Sequence, residues 1–426
     1  MTTQVLFKNR HPNRIASLEE YRASGGYEAL SMSMEKHFRS RVQQLALDAV
    51  LLGRGGAGFP AGRKWMTVAE NAPFPRYIVC NADEMEPGTF KDRMLIHADP
   101  HQIIEGMVIV GYSVLAEKGI IFIRKSYENA ARILEREIER AKAAGFLGKN
   151  ILGSGFSMEI VVHRSAGRYI CGENTAQINA IQGKRAHPIQ PPPYATEKGL
   201  WGFPTVTNNV ETLACVPHII RNGPEWFKSL ARTPAGAGTK LYCVSGRVNH
   251  PGCFELPMGI RLSEIIEEHA GGMPPGCEFK ACLPGGASTR FLPRSLYDIE
   301  MDFDSMKKAG HRMGTGSIIV FDQNTCLVGA TVNMMDFFVR ESCGWCTPCR
   351  EGLPYIRDIL ALIESGEGKA EHIPLLRQMS QWVWNTYCAL APGAASPVES
   401  LLTYFEDEVQ EHIRLHRCPF KGGCTS

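Results

Sequence analysis

Residues 76–123, RYIVCNADEMEPGTFKDRMLIHADPHQIIEGMVIVGYSVLAEKGIIFI, contain the pattern that decides the fold. The β-branched runs RYIVC (76–80) and GIIFI (119–123) predict two buried strands, and 100–116 between them predicts a helix. The alternation continues as a helix over 127–144, a strand over 158–162 and a helix over 209–221. Strands that alternate with helices predict an α/β unit with a parallel sheet.

The sequence on either side of this unit has a different pattern. Before it, Ser17 with Glu20 three positions later predicts a helix that begins with a capping box, and 33–52 carries an apolar stripe at helical spacing. From Thr239, short strands around one helix predict a small β-rich domain that ends near Phe321. Beyond Ala330 the pattern is helical again, with a last helix over 398–415. We therefore expect three units, residues 1–238, 239–325 and 326–426.

Composition excludes several classes of function. The 426 residues carry a formal net charge of only +2 and no basic stripe, so nucleic acid is not an expected partner. The most apolar stretch, 103–123, is interrupted by Glu105, Glu117 and Lys118, so no direct membrane span is predicted. The first residues lack an apolar h-region, and the fourteen cysteines are therefore expected in a reducing compartment. Isolated cysteines are expected to pack in the core: Cys80, Cys215, Cys243 and Cys282.

A cysteine cluster near the carboxyl terminus indicates metal chemistry. Cys343, Cys346 and Cys349 follow the C-x2-C-x2-C spacing, which favours a 4Fe–4S cluster over structural zinc. Cys388 is the best candidate for the fourth ligand because it follows a predicted helix and begins a segment of small residues, predicted as a loop. Cys418 and Cys424 have looser spacing, and we interpret them as surface residues of a tail.

A glycine-rich segment, GRGGAGFPAGRKW (53–65), indicates a phosphate site. Its G-x-G-x-x-G pattern follows a helical segment and not a strand, so an ordinary Rossmann fingerprint is disfavoured. Glycines nevertheless let backbone amides approach a phosphate, and Lys64 can add a positive charge. The alternative is a glycine-rich turn without a ligand.

Polar residues also gather after predicted strands, where α/β proteins bind ligands. Residues 81–93 (NADEMEPGTFKDR) follow the first strand, 166–175 follow another, and 207–212 (TNNVET) begin a helix. The carboxylates of the first segment are also consistent with a divalent cation site or a solvated loop. The asparagine pair is also consistent with a simple helix cap.

Five segments occur in one order that resembles the NADH-binding, FMN-containing subunit of bacterial complex I: GRGGAGFPAGRKW, CNADEMEPGTFKDR, AGRYICGE, GLWGFPTVTNNVETL and ESCGWCTPCREGLP. The resemblance runs from about Leu18 to His412. It implies a flavin-binding α/β domain, a β-grasp domain and a helical bundle that carries a 4Fe–4S cluster on Cys343, Cys346, Cys349 and Cys388. It also implies FMN with NADH stacked on it, Phe59 and Glu86 being among the NADH contacts.

The cofactor-binding residues expected from the segments and the resemblance fall in four groups. They are Gly53, Arg54, Gly55, Gly56, Gly58, Phe59, Gly62 and Lys64; Asn81, Asp83, Glu84 and Glu86; Tyr169, Gly172, Glu173, Asn174 and Tyr194; and Thr207, Asn208, Asn209 and Thr212.

The resemblance implies an NADH:quinone oxidoreductase component that takes a hydride onto FMN and passes single electrons to the cluster. It implies two partners, a thioredoxin-like 2Fe–2S subunit and a large multi-cluster iron–sulfur subunit, and a cytoplasmic place at the inner face of the cell membrane. The alternatives are the diaphorase component of an NAD-reducing hydrogenase or formate dehydrogenase, and a metal-stabilised interaction module.

Two positions depart from the family pattern. Asn174 stands where the family has a glutamate, and Pro191 stands where it has a lysine. We expect both in the nucleotide pocket. An acidic residue there commonly binds the ribose 2′-hydroxyl and repels a 2′-phosphate, so we expect weaker discrimination against NADPH than in relatives.

Overall fold

A parallel sheet of four strands organises the first half of the chain in the computed structural model, which describes residues 4–35 and 39–420. The strands are β1 (Tyr77–Ala82), β2 (Lys118–Arg124), β3 (Glu159–Ser165) and β4 (Thr205–Asn209). Their order across the sheet is β3-β2-β1-β4, so β2 and β3 are added on one side of β1 and β4 on the other. The carboxyl ends of β1 and β4 therefore meet at a topological switch point, where open α/β sheets bind ligands.

Helices surround this sheet. They are α1 (Leu18–Ala23), α2 (Glu28–Glu35), α3 (Arg39–Asp48), α4 (Ala61–Met66), α5 (Lys91–Ala98), α6 (His101–Val114), α7 (Glu128–Ala143), α8 (Asn174–Ile181), α9 (Ala195–Lys198), α10 (Val210–Asn222) and α11 (Pro224–Ser229). The predicted capping box forms, since Ser17 accepts from the Glu20 amide and the Glu20 carboxylate accepts from the Ser17 amide. The helices predicted over 100–116, 127–144 and 209–221 are present as α6, α7 and α10. Strand β4 was not predicted, because its residues were interpreted only as the start of α10.

The second unit is a five-stranded mixed sheet. Its strands are β5 (Thr239–Gly246), β6 (Gly252–Pro257), β7 (Phe279–Leu283), β8 (Leu292–Pro293) and β9 (Ser317–Asp322), in the order β6-β5-β9-β7-β8, with the short helices α12 (Leu262–Glu264) and α13 (Phe303–Lys308). Cys80, Cys215, Cys243 and Cys282 are all buried, as predicted. Cys243 is not isolated, however, because it pairs across the sheet with the buried Cys253.

The last unit is helical: α14 (Leu327–Glu341), α15 (Thr347–Ser365), α16 (His372–Trp382), α17 (Leu390–Tyr404) and α18 (Glu406–Leu415). The single helix predicted over 398–415 is wrong, because the backbone leaves helical geometry at Phe405 (φ −137°) and two helices result. The small residues after Cys388 form the first turns of α17 instead of the predicted loop. No helix among the described residues is long and apolar enough to cross a membrane.

Candidate functional site

A cavity of about 370 Å³ opens at the carboxyl edge of the parallel sheet. Its wall includes the glycine-rich loop before α4, the ends of β1 and β4, and the segment that leads into α8. The mixed sheet contributes Gly285, Ser288 and the loop 312–315, and the helical unit contributes Cys388–Leu390. All three units therefore build one site.

The glycine-rich loop is closed by a hydrogen bond from the Gly53 amide to the Phe59 carbonyl (2.9 Å). A side chain at Gly55 would bring its Cβ to 3.3 Å from the Cβ of Asn209, and Gly58 has φ +66° with Phe303 only 2.8 Å from a Cβ there. These glycines therefore let the backbone approach the sheet edge with no side chain between them. The loop follows α3 and not a strand, so the prediction against an ordinary Rossmann turn is confirmed.

Lys64 on α4 supplies a cation to the cavity. Its ammonium donates to the Thr207 carbonyl at 3.0 Å, and burial lowers its pKa below the usual value. An anionic ligand group beside Lys64 would offset that burial.

Two buried polar atoms on cavity residues have no hydrogen-bond partner among the described residues. They are Oδ2 of Asp83 and Oγ1 of Thr207. The other Asp83 oxygen accepts from the Ser165 hydroxyl (2.7 Å), and burial raises the Asp83 pKa to about 6. Buried polar atoms are rarely left unpartnered in proteins, so these two atoms fit a ligand that brings its own donors, such as a polyhydroxylated chain.

Glu84 and Glu86 contact protein groups instead of a cation. Glu84 accepts from the Asp92 amide (2.9 Å) and the Arg93 amide (3.2 Å) at the start of α5, and burial raises its pKa to about 7. Glu86 accepts from the Tyr169 hydroxyl (2.6 Å) and the Ser288 amide (2.7 Å). Among the residues that the structure describes, these carboxylates do not converge as a cation site, so the divalent-cation alternative has no support.

A buried lysine fixes the asparagine at the end of β4. Lys91 is fully buried and forms ion pairs with Asp92 (2.7 Å) and Glu211 (3.0 Å). It also donates to Oδ1 of Asn209 (3.1 Å), while the Asn209 amide donates to Asp92 (2.6 Å). Asn209 also caps α10 by accepting from the Glu211 amide (3.0 Å). The predicted cap is therefore confirmed, and Asn209 lies on the cavity wall as well.

The four predicted cluster ligands converge beside this cavity. The Cys346 thiol accepts from the Tyr387 amide at 3.4 Å, which places it next to the Cys388 segment. Burial raises the pKa of the Cys388 thiol to about 12, and the neighbouring Cys349 and Cys343 add to the increase. None of the four forms a disulfide. Four free thiols that face one another fit a cluster held by thiolates.

Most of the predicted cofactor-binding residues line the cavity. These are Gly53, Gly55, Gly56, Gly58, Phe59, Lys64, Asn81, Asp83, Glu84, Glu86, Tyr169, Gly172, Glu173, Asn174, Thr207, Asn208, Asn209 and Thr212.

Three predicted residues lie elsewhere. The Arg54 side chain is buried and donates to the Ala237 carbonyl (2.7 Å), and Gly62 packs against α3, where a Cβ would lie 2.6 Å from the Gln43 carbonyl oxygen. Tyr194 is 61% exposed outside the cavity wall. Pro191 does not line the cavity either, so only Asn174 of the two departures lies where we expected it.

Sequence reasoning also missed cavity residues. These are Ala57, Met85, Thr89, Lys91, Asp92, Ile170, Gly285, Ser288, Arg312, Gly314, Thr315, Ala389 and Leu390. Lys91 and Asp92 belong to a segment that was singled out, but the residues of the mixed sheet had no signal, since only the folded chain brings them to the α/β domain.

Comparison with known proteins agrees with this geometry. Residues 47–218 match the Nuo51 FMN-binding domain, 241–292 the SLBB domain, and 329–412 the NADH-ubiquinone oxidoreductase-F iron-sulfur binding region. An NADH-quinone oxidoreductase F subunit of Rhizobium meliloti (strain 1021), the one numbered 2, is 47% identical, over 95% of this chain and 96% of the relative. The NADH-quinone oxidoreductase F subunit of Escherichia coli (strain K12) is also 47% identical, over 97% of this chain and 93% of its own.

The chain belongs to the family of NADH-quinone oxidoreductase F subunits. As a member, it is an NADH dehydrogenase component that binds FMN and a 4Fe–4S cluster. The solved structure of an NAD+-reducing [NiFe]-hydrogenase in the air-oxidized state matches with a TM-score of 0.81 and 33% identity, over 95% of this chain and 67% of the hydrogenase chain. The H2-reduced state gives 0.82 and 32%. The hydrogenase chain therefore shares this fold, and the non-enzymatic interaction module is disfavoured.

Proposed function

We propose that the cavity holds FMN against the glycine-rich loop, with NADH entering past Phe59, and that electrons leave through the cluster on Cys343, Cys346, Cys349 and Cys388. FMN, when bound, accepts a hydride and releases electrons one at a time. The observation that carries the proposal is that Cys388 lies on the wall of the same cavity as the glycine-rich loop. A flavin in the cavity would thus lie beside a cluster ligand.

The protein side chains bind and orient in this proposal, and none acts as a general acid or base. Lys64 and the loop amides offset the negative charge of a phosphate. The unpartnered oxygens of Asp83 and Thr207 accept from ligand hydroxyl or ring N–H groups. Phe59, 46% exposed on the cavity wall, offers a ring face on which a nicotinamide or adenine ring can stack.

A large exposed aromatic surface beside the cluster supports an obligate redox partner. Trp345 lies between two cluster ligands and is 52% exposed, and Tyr387 lies next to Cys388 and is 56% exposed. Trp382 and Trp384, also exposed, belong to the same turn as Tyr387. Aromatic side chains are enriched in protein interfaces. Since electrons must leave the cluster, we propose that the partner on this surface is the large multi-cluster iron–sulfur subunit, and that a thioredoxin-like 2Fe–2S subunit also binds the chain.

The finer structural and cellular assignments are also proposals. We infer that the mixed sheet is a β-grasp domain, supported by its strands packed around one main helix, and that the units span 1–238, 239–325 and 326–426. We place the chain in the cytoplasm, at the inner face of the cell membrane through its complex. The names of its relatives and the cluster's need for a reducing compartment support this.

The test is electron transfer by the isolated chain with bound FMN and cluster. It is expected to reduce an artificial acceptor such as ferricyanide with NADH, but to reduce quinone only when the multi-cluster partner is added. Quinone reduction by the chain alone would contradict the partner arrangement. Failure of NADH to reduce the flavin would contradict the cavity assignment.

The alternative function is that of the diaphorase component of an NAD-reducing hydrogenase, and the structural match to the hydrogenase chain favours it. The identity to the NADH-quinone oxidoreductase relatives is higher, 47% against 33%. Affinity purification from the native cells distinguishes the two, since recovery of a nickel-containing protein with this chain would support the hydrogenase assignment.

A further inference from the structure

Four side chains that could ligate a metal meet at the end of the helical unit, in a set separate from the cluster cysteines. They are Cys326, Glu364, His412 and Cys418, and their ligand atoms all lie within 4.8 Å of one another. Cys326 is the cap residue of α14, Glu364 lies in the last turn of α15, His412 is on α18, and Cys418 follows that helix. Three helices and the segment after α18 therefore supply one potential ligand each. This corrects the interpretation of Cys418 as a surface tail residue, while Cys424 lies outside the described residues.

The distances suit a small tetrahedral cation. Nε2 of His412 lies 3.0 Å from a Glu364 carboxylate oxygen and 3.3 Å from the Cys326 sulfur, and that sulfur lies 3.1 Å from the same carboxylate oxygen. Zinc bonds of about 2.0–2.3 Å give a tetrahedron with edges of roughly 3.3–3.8 Å. The observed separations are within a few tenths of an ångström of that range, so zinc would need only small side-chain shifts.

The orientation of His412 matches that of a metal ligand. Its other ring nitrogen, Nδ1, lies 2.7 Å from the Glu408 carbonyl oxygen, which can only accept. Nδ1 therefore carries the proton, and in the neutral ring Nε2 has a free lone pair directed at the three other side chains. A backbone carbonyl that fixes the tautomer in this way is a usual second contact of metal-bound histidine.

The first cysteine lies where a thiolate is stabilised. The Cys326 sulfur accepts from the Gly329 amide (3.2 Å) at the amino terminus of α14, a helix of 15 residues. Amide donors and the helix dipole favour the negative thiolate there. The His412 side chain is fully buried and that of Glu364 is 21% exposed, so a bound ion would be shielded from water on most sides.

We propose that Cys326, Glu364, His412 and Cys418 form a structural zinc site. Two thiolates, one imidazole and one carboxylate are ligands that zinc accepts, and four protein ligands leave no open position for catalysis. On binding, each thiol loses a proton to solvent and zinc forms two bonds to sulfur, with no change of oxidation state. The site joins the segment after α18 to the start of α14 and the end of α15.

Contacts around the site show what it would hold in place. Lys280 on β7 pairs with Glu408 on α18 at 2.6 Å, and its ammonium lies 4.3 Å from the centroid of the Phe420 ring. Glu408 also accepts from the Leu327 amide (2.6 Å) at the start of α14. The proposed zinc site therefore fastens the end of the chain across the junction between the mixed sheet and the helical unit.

X-ray absorption at the zinc edge of the purified protein with bound FMN and cluster tests the proposal without any substitution. We expect about one zinc per flavin beside a full complement of cluster iron, with sulfur scatterers at about 2.3 Å and lighter scatterers at about 2.0–2.1 Å. Absence of zinc from protein prepared with added zinc would overturn the proposal. A spectrum with only nitrogen and oxygen scatterers would overturn it as well.

Substitutions locate the ion. Cys418→Ser is expected to lose zinc on dialysis against a chelator while it keeps its iron and flavin, and His412→Gln is expected to behave in the same way. Cys277→Ser is the matched control, because Cys277 is a free, partly exposed cysteine outside the site. Retention of zinc in both site variants would overturn the ligand assignment, and so would equal loss of zinc in the control. Should a site variant fail to fold, the spectrum of the unmodified protein still decides.

Discussion

Substitution of Asp83 by asparagine tests whether its unpartnered oxygen holds a ligand. The carboxyl is only 4% exposed, and burial raises its pKa from 3.8 to about 6. Because the folded-state pKa lies above the unfolded value, the folded protein binds more protons between these values and stability falls as pH rises through this window. A shift of about two units corresponds to about 3 kcal/mol of unfavourable free energy above pH 6, and about 1.4 kcal/mol of it develops between pH 5 and 7.

The first assay is urea unfolding of the flavin-free protein and of Asp83→Asn at several pH values. The difference in unfolding free energy between the two proteins cancels the other titrating groups. We expect the variant to become more stable relative to the native protein by about 1.4 kcal/mol from pH 5 to pH 7. A difference that does not change with pH would refute the assigned charge penalty.

The second assay is FMN binding, followed by quenching of flavin fluorescence. Asparagine can still accept from Ser165 at one position but presents an amide donor where the free carboxylate oxygen was. Loss of a hydrogen bond to a charged acceptor, worth about 1.5–3 kcal/mol, is expected to weaken FMN binding about 10- to 100-fold. Asp99→Asn is the matched control, because burial also raises the Asp99 pKa to about 6 but the residue does not line the cavity. An unchanged Kd for Asp83→Asn, or an equal loss in Asp99→Asn, would refute the reasoning.

Three further substitutions test other parts of the site. Cys388→Ser is expected to abolish or shift the paramagnetic signal of the reduced cluster while FMN remains, and Cys282→Ser, in the core, is expected to leave it unchanged; an unaltered signal in Cys388→Ser would exclude this ligand. Asn174→Glu is expected to raise the NADH-to-NADPH ratio of kcat/KM by roughly one to three decades, since like charges about 4 Å apart repel by about 1–4 kcal/mol, and an unchanged ratio in steady-state kinetics would refute the role of Asn174. Lys91→Met and Lys240→Met each remove a fully buried cation from Glu211, so both are expected to lower the thermal unfolding temperature by leaving charge unpaired, a cost of about 3–5 kcal/mol. Only Lys91 holds Asn209, so only Lys91→Met is expected to lose FMN as well; equal FMN content in both variants would contradict that contact.

Some features of the site could not be predicted from sequence, because they depend on strand pairing. Residues 205–209 are a short polar run with no hydrophobic alternation, and they become β4 only because β1 offers its free edge. In that pairing, Asn81 lies opposite Asn209. The segment after Cys388 was misjudged for a related reason, since its small residues pack as a buried helix against the bundle.

The sequence by itself determined the α/β alternation, the glycine-rich loop, the C-x2-C-x2-C spacing and the family to which they point, because each is a local pattern whose chemistry depends on neighbours within a few residues. Only the tertiary structure decided that Ser288 and Arg312 of the mixed sheet face the flavin cavity and that Cys388 lies on its wall. It alone also brought Cys326, Glu364, His412 and Cys418 within 4.8 Å of one another. Such contacts join residues up to about a hundred or more positions apart, and their free energy comes from packing whole units together, which no local pattern encodes.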